Sequence, residues 1–372
     1  MTLANPFLLY NYVSPEYFCD RQEETEQLIS ALHNGRNITL LSPRRIGKTG
    51  LINNAFHYIR ERQPRAHCLY MDIFSTSNLR EFVKVFGETM FSEITDFGHT
   101  TKEVISSILS HCKVSYTSDA ILGGSVSLEF SKEDTELTLR EIFSYLGKLD
   151  EEAYIAIDEF QQIAEYEENN VEALLRTYVQ RYSNLHFVFA GSKSHMMSEM
   201  FDSPSHPFYR STEKMHLYPL PEKVYYDFAS EKLKATMTIL PEQEFHRIYT
   251  MFEGHTWYVQ YVLNKIYEQS PAVVDEDIIN YKVREIVTSN NEDYQKLYSL
   301  LTRNQQQLLR AIANEGNVSA INSAAFIAKH NLPGTSSINK ALRFLIDNEY
   351  VYHYAEGYQV YDRFMQLWLR SL

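Results

Sequence analysis

The stretch Asn37-Ile-Thr-Leu-Leu-Ser-Pro-Arg-Arg-Ile-Gly-Lys-Thr-Gly-Leu-Ile52 decides how the rest of the chain is read. Its apolar, β-branched run Ile38 to Leu41 predicts a buried parallel strand. Ser42, Pro43, Arg44, Arg45, Ile46 and Gly47 then form a loop, and Lys48, Thr49 and Gly50 open a helical pattern that continues with Leu51 and Ile52. Strand, Gly-Lys-Thr loop and helix in that order are the setting of a phosphate-binding loop. Successive loop N–H groups and a helix N-terminus form an anion nest. The lysine reaches β- and γ-phosphates, and the threonine hydroxyl can ligate Mg²⁺. Position 42 is serine where the pattern Gly-x-x-x-x-Gly-Lys-Thr has its first glycine. Gly47, Lys48 and Thr49, which carry the phosphate contacts, are all in place.

A bare Gly-Lys-Thr is a weak signal, so the reading needs a second motif. Ala153-Tyr-Ile-Ala-Ile-Asp-Glu159 supplies it: an apolar strand ending in two carboxylates. In phosphate-loop enzymes the first, here Asp158, holds the Mg²⁺ shell, and the second, Glu159, stands where an attacking water is oriented. Asp-Glu alone reads equally as a solvated strand end. At the C-terminal end of a hydrophobic strand it lies where α/β sheets place ligands, and the two motifs together predict ATP and Mg²⁺ binding.

Composition sets the outer limits. A chain of 372 residues accommodates two or three domains, and 44% hydrophobic and 22% charged residues fit a soluble globular protein. A net charge of −13 excludes general polyanion binding, so any nucleic-acid contact needs a local basic face. Cys19, Cys68 and Cys112 show no metal or redox spacing and read as reduced thiols of a cytoplasmic protein. Neither a signal peptide nor a membrane-spanning run is expected.

Residues 5–17 read as an extended aromatic lead-in. Gln22 to Leu32 reads as an amphipathic helix with Asp20 as N-cap. Cys68 to Ile73 reads as a strand, whose Asp72 has a structural reading and, less directly, a magnesium-shell one. Asn78 to Ile94 reads as a helix. Val114 and Tyr116, then Val126, Leu128 and Phe130, show period two on either side of Gly123-Gly124, which predicts an inserted β-hairpin turning at those glycines. Helices at Thr138–Leu149 and Val171–Tyr182 flank the Asp-Glu strand, and Leu185–Ala190 is the next strand. The alternation argues for a mostly parallel sheet with helices on both faces. Ser192 closes that strand, expected to lie beside the phosphate-loop strand. It reads either as a γ-phosphate sensor or as a turn cap. Arg210, ending the proline-rich loop from Ser203, reads as a surface cation or as an arginine finger.

From Leu220 the pattern is helical, with segments at Glu222–Leu233, Pro241–Phe252, His255–Tyr267 and Asp275–Thr288. Beyond Ser289-Asn290-Asn291, three helices (Thr302–Asn314, Ser323–His330, Ser336–Asn348) precede two short strands around Ala355-Glu356, the order of a winged helix-turn-helix. Tyr361, Phe364, Met365 and Trp368 form a stripe that reads as packing.

With these parts in this order the chain resembles the archaeal-type ATPase family, an AAA+-like group of P-loop NTPases. The resemblance is carried by Phe18-Cys-Asp-Arg21, Ser42-Pro-Arg-Arg-Ile-Gly-Lys-Thr49, Ile157-Asp-Glu159, Gly191-Ser192, Pro207-Phe-Tyr-Arg210 and Tyr361-Asp-Arg-Phe-Met-Gln-Leu-Trp-Leu369. It implies an ATPase core over residues 1–217, a helical lid over 218–290 and a winged helix over 291–372. It also implies Arg21 near the adenine and Ser192 as first sensor. Gly254-His-Thr-Trp-Tyr-Val-Gln260 falls where relatives carry a second-sensor motif, without the arginine or proline of that motif.

Three functions remain open at this stage: a slow ATP-hydrolysing switch, a DNA-binding regulator with a structural ATP site, and a protein-docking module, with a homo-oligomer compatible with each. Residues 297–372 hold seven basic against five acidic side chains, and Ser336, Ser337, Asn339, Lys340 and Arg343 share the third helix. That suffices for weak DNA contact but lacks the dense basic stripe of a dedicated reader.

Overall fold

The apolar strands pair as their composition requires. In the computed structural model, which describes residues 5–95, 112–119, 123–354 and 357–372, five parallel strands form one sheet. They are β1 (Ile38–Leu41), β2 (His67–Asp72), β5 (Ala153–Asp158), β6 (Leu185–Gly191) and β7 (Glu213–His216), in the order β2-β5-β6-β1-β7. Every residue of β1, β5 and β6 is buried. Strands covered on both faces read as continuous apolar runs.

Alternation sends successive side chains to opposite faces. Tyr154, Ala156, Val188 and Ala190 pack with Leu28, Leu32, Leu51 and Phe56 of α1 (Gln22–His33) and α2 (Lys48–Arg62). Ile155, Ile157, Phe187 and Phe189 pack on the other face with α3 (Leu79–Thr95), α4 (Thr135–Leu146), α5 (Val171–Val179) and α6 (Ser194–Asp202).

Two local expectations are corrected. Asp20 does not cap α1. The N-cap is Arg21, with φ 67° and no side-chain cap bond. Its guanidinium instead turns inward to Glu24, the Ile46 carbonyl and the Tyr218 carbonyl. Gly123 and Gly124 do not form the hairpin turn. They begin β4 (Gly123–Glu129), paired antiparallel with β3 (Lys113–Asp119), Gly123 opposite Asp119. Residues 120–122, between the two strands, lie outside the described residues, as do Ala355 and Glu356 of the second expected turn. The sequence of β7, Glu-Lys-Met-His, carries no apolar run and buries only Met215, as an edge strand allows.

The chain divides into two compact units, Tyr10–Pro221, and the segment up to Leu9 together with Glu222–Leu372. In the second, α7 (Glu222–Leu233), α8 (Glu242–Met251), α9 (Thr256–Gln269) and α10 (Glu276–Ser289) fall where the helical pattern placed them. Helix α11 (Asn291–Ser299) lies where no element is expected, between the break at Ser289-Asn290-Asn291 and the helix from Thr302. Helices α12 (Arg303–Glu315), α13 (Ala324–Lys329) and α14 (Thr335–Asp347) precede the antiparallel pair β8 (Val351–Tyr354) and β9 (Gly357–Val360) and a final helix, α15 (Arg363–Arg370). Phe364, Met365 and Trp368 are buried, as the stripe indicated.

Residues 5–9 are more than a lead-in. The carbonyls of Phe7, Leu8 and Leu9 accept hydrogen bonds from Asn264, Gln260 and Trp257, side chains on one face of α9. Phe7 is fully buried, edge-on to Phe228 and Tyr267. Helix side chains thus do for this strap what a neighbouring strand would do in a sheet. Phe7→Ala is expected to lower stability by about 3–5 kcal/mol, read as a fall in the denaturation midpoint at unchanged slope. A change under about 1 kcal/mol would show the strap to be only loosely seated.

Candidate functional site

Parallel strands bring their C-terminal ends to one edge of the sheet. β6 lies between β1 and β5, with Leu41 opposite Gly191 and Ile157 opposite Phe189. The loop after β1, the carboxylates ending β5 and the serine after β6 therefore meet at that edge, although β1 and β5 do not touch.

Gly47 is the N-cap of α2, and its φ of 108° is a conformation that side chains resist. Lys48 opens the helix and is 6% exposed. Its ammonium donates to the Ser42 carbonyl at 3.3 Å. Burial pulls the lysine pKa down, opposed by Asp158 and then Glu159, which favour the charged form. The next residue, Thr49, donates its hydroxyl to Asp158 Oδ2 at 3.0 Å. Tyr70, on β2, donates to the same oxygen at 2.8 Å. Sequence reasoning missed Tyr70, although its place two residues before Asp72 on an adjacent strand could have signalled it. Asp72 itself is exposed and accepts from the Phe74 N–H at 2.8 Å, a turn contact that supports its structural reading.

Glu159 follows at φ 56°, beginning a 3₁₀ turn over Phe160–Glu165. Its Oε2 accepts from Ser192 Oγ at 2.7 Å and from Gln161 Nε2 at 2.5 Å. Its Oε1 lies 3.7 Å from Arg44 Nε, and the Arg44 guanidinium rests 4.8 Å above the Phe74 ring. Burial pushes the Glu159 carboxyl up. Lys48, the bonds from Gln161 and Ser192, and Arg44 outweigh it, so the net shift is downward.

Arg21, buried, touches the far end of the loop through the Ile46 carbonyl. Lys48, Thr49, Asp158, Glu159, Ser192 and Arg44 are thus brought together. Arg210 is not among them. It is exposed at φ 52°, its guanidinium 5.2 Å from the Tyr209 ring, and no hydrogen bond or ion pair among the described residues joins it to that group.

A buried ammonium with donors to spare, at a helix N-terminus whose first amides have no intrahelical acceptor, suits a polyanion. A hydroxyl and a carboxylate 3.0 Å apart suit a hard cation that arrives with phosphate oxygens. Among the described residues no cluster of three or more His, Cys, Asp or Glu could hold a metal without such help.

A family described as an ATPase domain predominantly from Archaea matches residues 18–262. The chain belongs to this ATPase family. A probable winged helix domain matches residues 292–371. Comparison with curated proteins found no match. Among solved structures, the Walker-type ATPase paby2304 of Pyrococcus abyssi is 18% identical at a TM-score of 0.64, covering 98% of this chain and 99% of that one. The Aeropyrum pernix ORC1 protein in complex with DNA is 11% identical at 0.56, covering 98% and 95%. The ADP form of the Aeropyrum pernix ORC2 protein is 15% identical at 0.53, covering 98% of each. At these identities the likeness is one of fold. It supports the parallel-sheet ATPase core, helical region and winged helix. No helix among the described residues is long and apolar enough to cross a membrane.

Proposed function

We propose that this protein is a Mg²⁺-dependent ATP-hydrolysing switch whose nucleotide state passes through the helical segment 218–290 to the winged helix. The observation that carries the reading is the group Lys48, Thr49, Asp158 and Glu159 at one sheet edge within an ATPase family domain. Lys48 and the first-turn amides of α2 hold the β- and γ-phosphates, and Arg21 braces the loop beside the base. Thr49 and Asp158 would hold Mg²⁺, which would neutralise charge on the phosphate oxygens. Glu159 orients a water in line with the γ-phosphorus. As the water oxygen bonds to phosphorus, the bond to the bridging oxygen breaks and ADP leaves with that electron pair. The proton released passes to Glu159 or a phosphate oxygen. Ser192, by its bond to Glu159, links the sensor position to the same carboxylate.

Lys48→Ala is expected to abolish thermal stabilisation by Mg-ATP. Glu159→Gln is expected to keep that stabilisation while turnover falls by about 100-fold or more. Undiminished stabilisation of the first variant, or full turnover by the second, would refute these roles. Running the turnover assay with and without duplex DNA across a salt series addresses a second reading, nucleic-acid binding by the winged helix. That reading draws on the exposed Ser336, Asn339, Lys340 and Arg343 of α14. Salt-sensitive stimulation supports it, and DNA-independent turnover favours a protein partner.

The relay draws support from Arg363. Its buried guanidinium donates to Glu253, Tyr352 and Gln359, so the residue before the Gly254 corner is tied to both strands of the wing. Arg363→Gln should leave ATP turnover near wild type. It should also erase the ATP-dependent difference in hydrogen exchange over residues 335–360. Persistence of that difference would show that the signal, if any, travels elsewhere.

Arg210 completes the reading as a finger acting on a neighbouring subunit, consistent with its exposure and with no hydrogen bond or ion pair, among the described residues, between it and the chain's own site carboxylates. Arg210→Ala should lower turnover and leave ATP affinity unchanged. Mixing Arg210→Ala with Lys48→Ala protein should restore part of the activity. Absence of recovery, with turnover per chain independent of concentration, would assign Arg210 an ordinary surface role.

A further inference from the structure

We infer that Gln161 is a positioning residue for Glu159: it fixes which carboxylate oxygen is left for the water. The inference rests on the hydrolytic reading above and deepens it.

Gln161 is 1% exposed, in the first turn of the 3₁₀ segment after β5. The left-handed backbone at Glu159 folds the chain back, so the side chain two residues later returns beside the carboxylate. Its amide N–H donates to Glu159 Oε2 at 2.5 Å, the oxygen that also accepts from Ser192 Oγ at 2.7 Å. Two donors thus converge on Oε2. Oε1 has Arg44 Nε at 3.7 Å, beyond hydrogen-bond reach. A carboxylate saturated on one oxygen and pinned from two sides presents the other in a fixed direction, as a base that must align one water requires.

The rest of the Gln161 amide indicates why a glutamine stands here. Its carbonyl oxygen is buried with no hydrogen-bond partner among the described residues. The neighbouring Phe160, Ile163 and Met197 are all buried apolar side chains. In such surroundings packing alone is better served by leucine or methionine, which leave no acceptor unsatisfied. The amide is therefore retained for its N–H. Gly191 makes the arrangement possible: a Cβ there would stand 2.5 Å from the Gln161 carbonyl oxygen and 2.6 Å from Met197 Cγ. The last residue of β6 thus lacks a side chain where the amide passes beneath it.

The test uses Gln161→Leu and the volume-matched Gln161→Met, with Gly191→Ala as an independent way to displace the amide. Turnover at saturating Mg-ATP is expected to fall on the order of 10- to 100-fold with the dissociation constant for ATP unchanged. The double variant Glu159→Gln with Gln161→Met should be no slower than Glu159→Gln alone, because Gln161 acts only through that carboxylate. Wild-type turnover in both Gln161 variants, or a further loss in the double variant, would overturn the inference while a dead Glu159→Gln left the hydrolytic reading standing. Full activity of Glu159→Gln would overturn the hydrolytic reading and this inference with it.

Discussion

Burying the Lys48 ammonium is the constraint on which this site depends. A cation taken from water without compensation costs several kcal/mol even after relaxation. Two carboxylates are held nearby by the end of β5, which reaches the same edge because β6 spaces it from β1. The carboxylates in turn need donors. Asp158 has Thr49 and Tyr70, and Glu159 has Ser192 and Gln161. Charge on one loop thus propagates into required residue types on β2, at the ends of β5 and β6 and just beyond them, and at the start of α2.

Such a network is close to neutral overall in charge but uneven in where its donors lie. Asp158 takes both of its side-chain donors on Oδ2, and Glu159 takes both of its own on Oε2. Each carboxylate therefore has a saturated oxygen and a less occupied one. That asymmetry arises from the chain's own hydrogen bonds and is present without any ligand.

Much of this was legible in the sequence because it is local. Lys48 and Thr49 sit next to a glycine that only a loop-to-helix junction needs, and Asp158-Glu159 end an unmistakable apolar run. The strand ending before Ser192 also lies beside the phosphate-loop strand, as expected. What escaped was held by tertiary contact. Tyr70 looks like any strand tyrosine until β2 is set against β5, and Gln161 looks like a surface helix residue until the left-handed turn at Glu159 reverses its direction. Asp20 offered the right chemistry for a cap, but the inward pull of Arg21 on the Ile46 and Tyr218 carbonyls fixed a different backbone. Helix α11 carries only one buried residue, Tyr294, too little for a periodic signal.

The strap formed by residues 5–9 has a consequence for the order in which the molecule can be made. Leu8 and its partner Gln260 are 252 positions apart. At roughly 5–20 residues per second of synthesis, Phe7 waits on the order of ten seconds or more before α9 exists to receive it. The whole ATPase core is translated in that interval. An aromatic, hydrogen-bond-hungry peptide is thus exposed at the one stage when the sheet edges of the core are also assembling. The second unit closes only after synthesis of its last helices, so a segment made before the core is among the last to find its place.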